Sequence, residues 1–462
     1  MMMQNIDRVL IESLKKRRQK LANLIDFPAI LWSGTNSPRN FAKNVYPFRA
    51  SSHFLYFAGI PLPNAAIRLD DGKLTLYLND ASPSSALWHG ETPSRDEIAE
   101  TIAADAAYPM DELRSQIDGA GTIAVQDAAT WTQQTQLLNR MVLPQLPPEG
   151  IDLELAKAIV SLRVTHDSGA LAELKKSAAV AIEAHKAGMR ATKSAIREAE
   201  VRAAMESVII GHNMTTSYNS IVTVHGEVLH NEHYHHPVQM SDLILADVGA
   251  ETSTGWASDI TRTWPVSGKF SSTQRDIYDV VLAAHDACIA KIQPGVEYRD
   301  IHLTACSVIA EGLVNLGILQ GKPEELVEKD IHALFFPHGI GHLLGLDVHD
   351  MEDLGDLAGY EDGRSRSERF GLGYLRLNRP LRTGMLVTIE PGFYQVPAIL
   401  NHARSQYHYL INWERLEQFS DVRGIRIEDD VLVTDNGAEI LTAALPTAAN
   451  DIEELATDAE RM

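Results

Sequence analysis

The chain has 462 residues, with 62 acidic against 41 basic side chains, a net charge of −21 and two cysteines. At roughly 100–200 residues per domain the length leaves room for two or three domains, and 45% apolar with 22% charged residues exclude a disordered chain. The acidic balance argues against nucleic-acid binding, which draws on basic side chains, and no apolar run approaches the roughly eighteen residues of a membrane span.

The opening MMMQNIDRVLIESLKKRRQK lacks the apolar core of a secretory signal, and its Asp7 and Glu12 disfavour a transit sequence, so a cytoplasmic protein is expected. Val9, Leu10, Leu14 and Leu21 predict the apolar side of a first helix, with Lys15, Lys16, Arg17, Arg18 and Lys20 as its solvated face. From about residue 28 to 130, AILWSG, HFLYFAGI and KLTLYLND read as β-rich runs interrupted by helical stretches such as RDEIAETIAADA, an α/β pattern. MVLPQLPPEG, with three prolines and a glycine, marks a boundary.

Beyond it, ELAKAIVSLR and the stretch from ALAELKK to about Ile210 have the three- and four-residue apolar spacing of long amphipathic helices. SIVTVHG, LILADVGAE and ASDITRTWPV then have strand composition, QRDIYDVVLAAHDACIAKI and DIHLTACSVIAEGLVNLGIL return to helical spacing, and GMLVTIEPGFYQV and IRIEDDVLVT form a second strand set. Helices, strands, helices, strands is an α+β order that can hold an internal duplication. The expected division is 1–160, 161–445 and an acidic, alanine-rich, loosely held tail 446–462. Cys288 and Cys306 match neither a zinc knuckle nor a redox pair and are expected as reduced, buried thiols.

The chemistry lies in acidic residues and histidines at predicted strand ends: Asp247 in LADVGAE, Asp259 in ASDITRTW, His342 in HGIGHLLGLDVHD, Glu390 in TIEPGF and Glu428 in GIRIEDD. Singly, an acidic residue beside glycine is usually a turn former. Asp247, Glu390 and Glu428, however, follow apolar runs that should be buried, and a carboxylate entering a core is costly unless paired or bound to metal. Four carboxylates and one imidazole suit hard or borderline divalent ions. Their charge exceeds what one cation needs, so two ions sharing carboxylates is the economical arrangement, and the chemistry it supplies is hydrolysis.

The ordered set LADVGAE, SDITRTW, HGIGHLLGLDVHD, TIEPG and GIRIEDD resembles the metal-site motifs of the pita-bread metallopeptidases, in the branch containing aminopeptidase P and prolidase. YPFRASSHFLYFAG is similar to the N-terminal domain of aminopeptidase P, and the resemblance covers nearly the whole chain. It implies a creatinase-like α/β N-terminal domain followed by a pseudo-twofold α+β pita-bread domain, usually in a homodimer or homotetramer. It also implies two divalent ions, most often Mn²⁺ with Co²⁺ or Zn²⁺ as alternatives, on Asp247, Asp259, His342, Glu390 and Glu428.

By the same resemblance, His230, His338 and His349 surround the metals, steady the reacting carbonyl and contact substrate, Glu390 doubles as base, and Tyr218 bonds a ligand carboxylate near the substrate. Arg426 falls on the strand face of Glu428, where a structural ion pair and a substrate contact are both open. His233, His235 and His236 have no counterpart and read as surface loop residues, with an accessory metal site as the sharper alternative. The Asp247 to Asp259 spacing is one residue longer than the family pattern, which is harmless if the addition stays in the ETSTG turn and fatal if it shifts strand register.

The resemblance further implies small Xaa-Pro peptides as substrates and leaves two activities. A dipeptidase rewards a free carboxylate after proline, for which arginine is the natural device. The long segment 351–382 includes GYLRLNRPLRTGM, similar to the prolidase segment that grips that carboxylate, and the matching residue is Arg376. QVPAILNHARSQYHYLINWERLEQF also resembles a prolidase insertion, whereas the N-terminal domain and LPTAAN resemble aminopeptidase P. The balance favours an Xaa-Pro dipeptidase, with an Xaa-Pro aminopeptidase as the alternative and a non-catalytic binding protein behind both.

Overall fold

The computed structural model describes residues 7–457, and expectations resting on residues 1–6 and 458–462 lie outside the described residues. The chain forms two compact units, the first comprising Met1–Glu173 with Ser253–Trp256 and Met351–Ala358, the second the remainder. No described helix is long and apolar enough to cross a membrane.

The first unit is built on a four-stranded sheet in the order Ala29–Trp32, Ala66–Asp70, Lys73–Tyr77, Ala106–Tyr108, antiparallel except for the last pair. Asp71 and Gly72, at φ +47° and +75°, close the central hairpin as a tight turn of this kind requires. Ile30, Trp32, Ala66, Tyr77 and Leu113 pack into one apolar cluster on this sheet. The helix expected in RDEIAETIAADA spans Arg95–Thr101, opened by a reciprocal cap between Ser94 and Glu97.

Two expectations fail here for physical reasons. HFLYFAGI is not a strand: Ser52–Ala58 is a helix buried on every side and ended by Gly59 at φ +79°. An all-round apolar run carries no period, so helix and strand cannot be told apart from it. The first helix, Arg8–Ala22, buries Leu10, Leu14 and Leu21, but Val9 is 45% exposed, while Arg17 and Arg18 are buried. Arg17 grips Asp167 through Nε at 2.7 Å and Nη2 at 2.9 Å, and Arg18 donates to the carbonyls of Phe57 and Ile102. Local charge pattern cannot reveal acceptors so distant in sequence.

The second unit repeats a theme of helices and a small sheet. Most of helix Ser168–Thr192 and helix Glu198–Gly211 precede the sheet Thr261–Pro265, Leu243–Asp247, Ile221–Thr223. Helices Ser272–Ala290 and Tyr298–Asn315 precede the sheet Leu386–Ile389, Asp429–Thr434, Gly437–Ile440. The two sheets are linked by a bridge between Thr261 and Glu428. Cys288 and Cys306 are free and buried in the second helix pair. The tail departs from expectation, since Ala449–Thr457 is a helix that buries Ala449, Ile452 and Ala456 and packs on the strand Thr261–Pro265.

The strands that carry Asp247 and lead from Asp259 keep register, so the feared register shift does not occur. Thr261 pairs with Asp247 and Pro265 with Leu243 in unbroken antiparallel order, and the turn residues Ser253–Trp256 belong to the first unit. Gly249 permits the return of the chain, because a Cβ there would stand 1.8 Å from the carbonyl oxygen of Ser258.

Candidate metal centre

The strand Leu243–Asp247 is buried throughout, so its last side chain is delivered into the interior. Asp259 lies two residues before the neighbouring strand Thr261–Pro265, Glu390 directly follows the strand Leu386–Ile389, and Glu428 lies two residues beyond Gly424–Arg426. His342 is held between them by two hydrogen bonds with Thr388, its backbone N–H donating to Thr388 Oγ1 at 3.1 Å and its carbonyl accepting from the Thr388 N–H at 3.0 Å. Gly341 makes this approach possible, since a Cβ there would lie 2.2 Å from the Thr388 carbonyl oxygen. All five side chains line one cavity of about 450 Å³.

Donor atoms of Asp259, His342 and Glu428 lie within 4.8 Å of one another. His342 Nδ1 is 3.0 Å from the Leu343 carbonyl oxygen, which fixes the proton there and leaves Nε2 as a lone pair. That nitrogen faces Asp259 Oδ2 at 3.4 Å and Glu390 Oε1 at 3.6 Å, too far for hydrogen bonds. A lone pair aimed at two carboxylates is repulsive unless a cation or a proton lies between them. The donor set, oxygen-rich with one imidazole, fits a divalent cation.

Electrostatics make the same point. Burial pushes Asp247 up to about 6 and Glu390 up to about 7, and burial together with Asp259 and Glu390 pushes Glu428 well above the carboxylate range. Burial raises Asp259 too, but its contact with His342 outweighs this and holds it low. Burial lowers His342, and Asp259 and Glu390 reverse that and raise it. The cluster is short of positive charge.

Second-layer contacts fix the ligands. Arg426 donates through Nη2 to Asp247 Oδ2 at 2.6 Å, through Nε to Thr261 Oγ1 at 3.0 Å and through Nη1 to the Tyr394 hydroxyl at 3.0 Å. Of the two roles open to Arg426, the ion pair is the one present, though its side chain also borders the cavity. Thr261 Oγ1 donates to Glu428 Oε2 at 2.6 Å, and the Asp259 N–H donates to Asp430. Tyr218 has its hydroxyl 2.5 Å from Asp247 Oδ1 and 2.6 Å from Asp259 Oδ1. The Tyr218 hydroxyl thus ties the two ligand aspartates together, and Tyr218 is not among the residues lining the cavity.

The three expected histidines all line the cavity. His338 Nδ1 lies 2.8 Å from the Gly339 carbonyl and Nε2 2.9 Å from the Tyr394 hydroxyl, and burial and Arg426 drive it down to about 3, so it is a neutral imidazole. His349 packs edge-on against His342 at 4.4 Å between ring centres. His230 is exposed at the rim, lowered by burial, Arg426 and Arg376. His233 and His235 are exposed, while His236 is half-buried with Nδ1 2.9 Å from Glu198 Oε2. None of these three joins the metal-ligating cluster among the described residues.

Residues that sequence reasoning missed are Thr261, Tyr394, Thr388 and Asp430 around the ligands, and Arg366, Phe370 and Tyr374 on the cavity wall. Thr261 carried a usable signal, being two positions beyond Asp259 and therefore on the same strand face.

Residues 172–435 match the model of metallopeptidase family M24, and residues 14–124 match the aminopeptidase P N-terminal domain. The chain belongs to metallopeptidase family M24. A probable Xaa-Pro aminopeptidase of Paracoccidioides brasiliensis is 35% identical over 433 residues, covering 89% of this chain and 88% of its own length. A probable Xaa-Pro aminopeptidase of Sordaria macrospora is 32% identical, with coverages of 88% and 86%. Among solved structures, aminopeptidase PepP of Pseudomonas aeruginosa superposes with a TM-score of 0.81 at 27% identity, covering 97% of this chain and 98% of that one. Zinc-substituted Escherichia coli aminopeptidase P in complex with product gives a TM-score of 0.79 at 26% identity, covering 98% and 99%. The expected pita-bread M24 architecture, with its aminopeptidase P-type N-terminal domain, holds.

Proposed function

We propose that this M24 metallopeptidase is an Xaa-Pro aminopeptidase that removes the residue preceding proline from short peptides. The observation that carries the choice is the length of the match: Xaa-Pro aminopeptidases align with 89% of the chain, including its N-terminal unit. This corrects the dipeptidase expectation, which rested on two inserted segments. Both segments contribute to the cavity lining, Arg366 and Arg376 from one and Ile399 from the other, in a chain whose long-matching relatives are named probable Xaa-Pro aminopeptidases.

Asp247, Asp259, His342, Glu390 and Glu428 would hold the ions, with Mn²⁺ our proposed occupant on the hardness of the oxygen-rich set. Divalent ions bound there supply an acidified water and polarise the scissile carbonyl. Glu390, which follows a fully buried strand and lines the cavity beside the other ligands, is placed to take a proton from a water held there. Arg426, Tyr218 and Thr261 hold three of the carboxylates in place, which preserves their mutual geometry. His230 and His349, on the cavity wall, are placed to donate to the substrate carbonyl and its developing oxyanion.

Proline matters because its nitrogen has no N–H, so recognition must rest on shape and on the carbonyls around it. Incubating Mn²⁺-loaded protein with Ala-Pro-Ala-Ala and with Ala-Ala-Ala-Ala tests the reading. Release of alanine from the first and not the second is expected. Refusal of the proline tetrapeptide alongside turnover of Ala-Pro would restore the dipeptidase.

A further inference from the structure

Arg262 is fully buried and lines no part of the cavity that holds the metal-ligating cluster. It follows Thr261 in the strand Thr261–Pro265, so its side chain leaves the opposite face of that strand. A guanidinium carries five N–H donors and no acceptor, and burying one is costly unless every donor is met. Here every donor is met. Nε donates to the Pro446 carbonyl at 3.0 Å, Nη1 to the carbonyls of Thr261 at 3.0 Å and Glu428 at 2.6 Å, and Nη2 to Asp429 Oδ1 and the Leu445 carbonyl, both at 2.7 Å.

The acceptors belong to separate stretches of chain: the strand that leads from Asp259, the pair Glu428–Asp429, and Leu445–Pro446 near the C-terminus. Nη1 spans the two carbonyls of the bridge between the sheets, where the Glu428 N–H donates to the Thr261 carbonyl at 3.0 Å. Asp259 and Glu428 bring donor oxygens within 4.8 Å of each other, and like charges at that range push their backbones apart. Arg262 ties those backbones together from the side away from the cavity. Its far ends are fixed in turn. Asp429 Oδ1 also accepts from Thr442 Oγ1 at 2.6 Å, the Tyr278 hydroxyl donates to the Thr447 carbonyl at 2.7 Å, and the helix Ala449–Thr457 buries Ile452 and Ala456.

We propose that Arg262 is a positioning residue for the metal centre, setting the separation of Asp259 and Glu428, with the C-terminal segment as its anchor, and so the affinity for a second divalent ion. This rests on the metal-centre reading and adds to it a residue outside the cavity. Lysine keeps the charge but offers three donors from one atom, which cannot span acceptors on separate stretches of chain.

Calorimetric Mn²⁺ titration and electron paramagnetic resonance of the full chain test this in wild type, Arg262→Lys and Arg262→Met. Arg17→Met, which removes a similarly buried arginine from the first unit, is the control for lost stability alone. Wild type should take two ions with coupled spins. In Arg262→Lys the Kd of the weaker ion should rise about tenfold, the usual effect of losing a contact behind a ligand, and uncoupled Mn²⁺ should appear in the spectrum. Arg262→Met should lose more, and in both variants kcat for Ala-Pro-Ala-Ala should fall with KM little changed. Arg17→Met should be less resistant to urea and bind Mn²⁺ as wild type does. If Arg262→Met does not fold, the lysine variant decides. Two coupled ions bound as tightly in Arg262→Lys as in wild type would overturn the proposal alone, as would an equal loss of affinity in Arg17→Met. Fewer than one ion in wild type would overturn the metal-centre reading and the proposal with it.

Discussion

The core of the first unit and the metal-ligating cavity of the second bury charge in opposite ways. In the first, every deeply buried arginine meets compensation: Arg17 is bonded to Asp167, Arg18 to backbone carbonyls, and Arg163 to His53, whose other nitrogen is 2.9 Å from Asp353. In the second, four carboxylates converge on one cavity where Arg426 is paired with Asp247. Compensated buried charge serves the fold. A deficit of positive charge, held in place by Tyr218, Thr261 and Arg426, is a demand for a cation.

Removing a ligand should have the largest effect. Asp259→Ala is expected to cut Xaa-Pro hydrolysis by about a thousandfold or more, the order of several kcal/mol of metal assistance. By the same logic Glu428→Gln should raise the melting temperature of chelator-treated protein, because it relieves repulsion, and a lower value would break the contrast between the units. Arg17→Met should do the reverse in the first unit, costing about 3 kcal/mol in urea unfolding by leaving Asp167 without its partner. Tyr218→Phe should be milder, weakening metal affinity by about tenfold while leaving the fold intact, as metal titration followed by circular dichroism would show.

The smallest expected effect is on acid stability. Burial raises Asp167, but the hydrogen bonds and charge of Arg17 and the Ala170 N–H outweigh it and hold the carboxyl at about 2, against an ordinary 3.8. A depressed carboxylate contributes stability above its unfolded value and loses it as pH falls through the folded one. Wild-type protein should therefore lose urea resistance progressively from pH 4 toward 2. The Arg17→Met variant should show a shallower loss across that range, and identical slopes would remove Arg17 as the cause.

Much of the site was legible in the sequence because its carboxylates end apolar strands, where a buried charge demands explanation. What was not legible depends on tertiary approach. The buried arginines of the first helix read as solvated because Asp167 and the Phe57 carbonyl lie far away in sequence. Ser52–Ala58 read as a strand because it is apolar on all sides. Tyr394 reaches His338 and Arg426, Thr388 reaches His342 and Asp430 reaches Asp259 only through strand pairing and close packing that no local pattern encodes. The dipeptidase expectation gave two insertions more weight than the full-length resemblance they interrupt.

The central claim is that the carboxylate deficit of the second unit is a metal centre. Counting divalent ions per chain after Mn²⁺ loading and gel filtration tests it most directly, in wild type and in Glu428→Ala. The account predicts about two ions in wild type and a clear loss in the variant. Fewer than one ion in wild type, or the same content in both proteins, would contradict it.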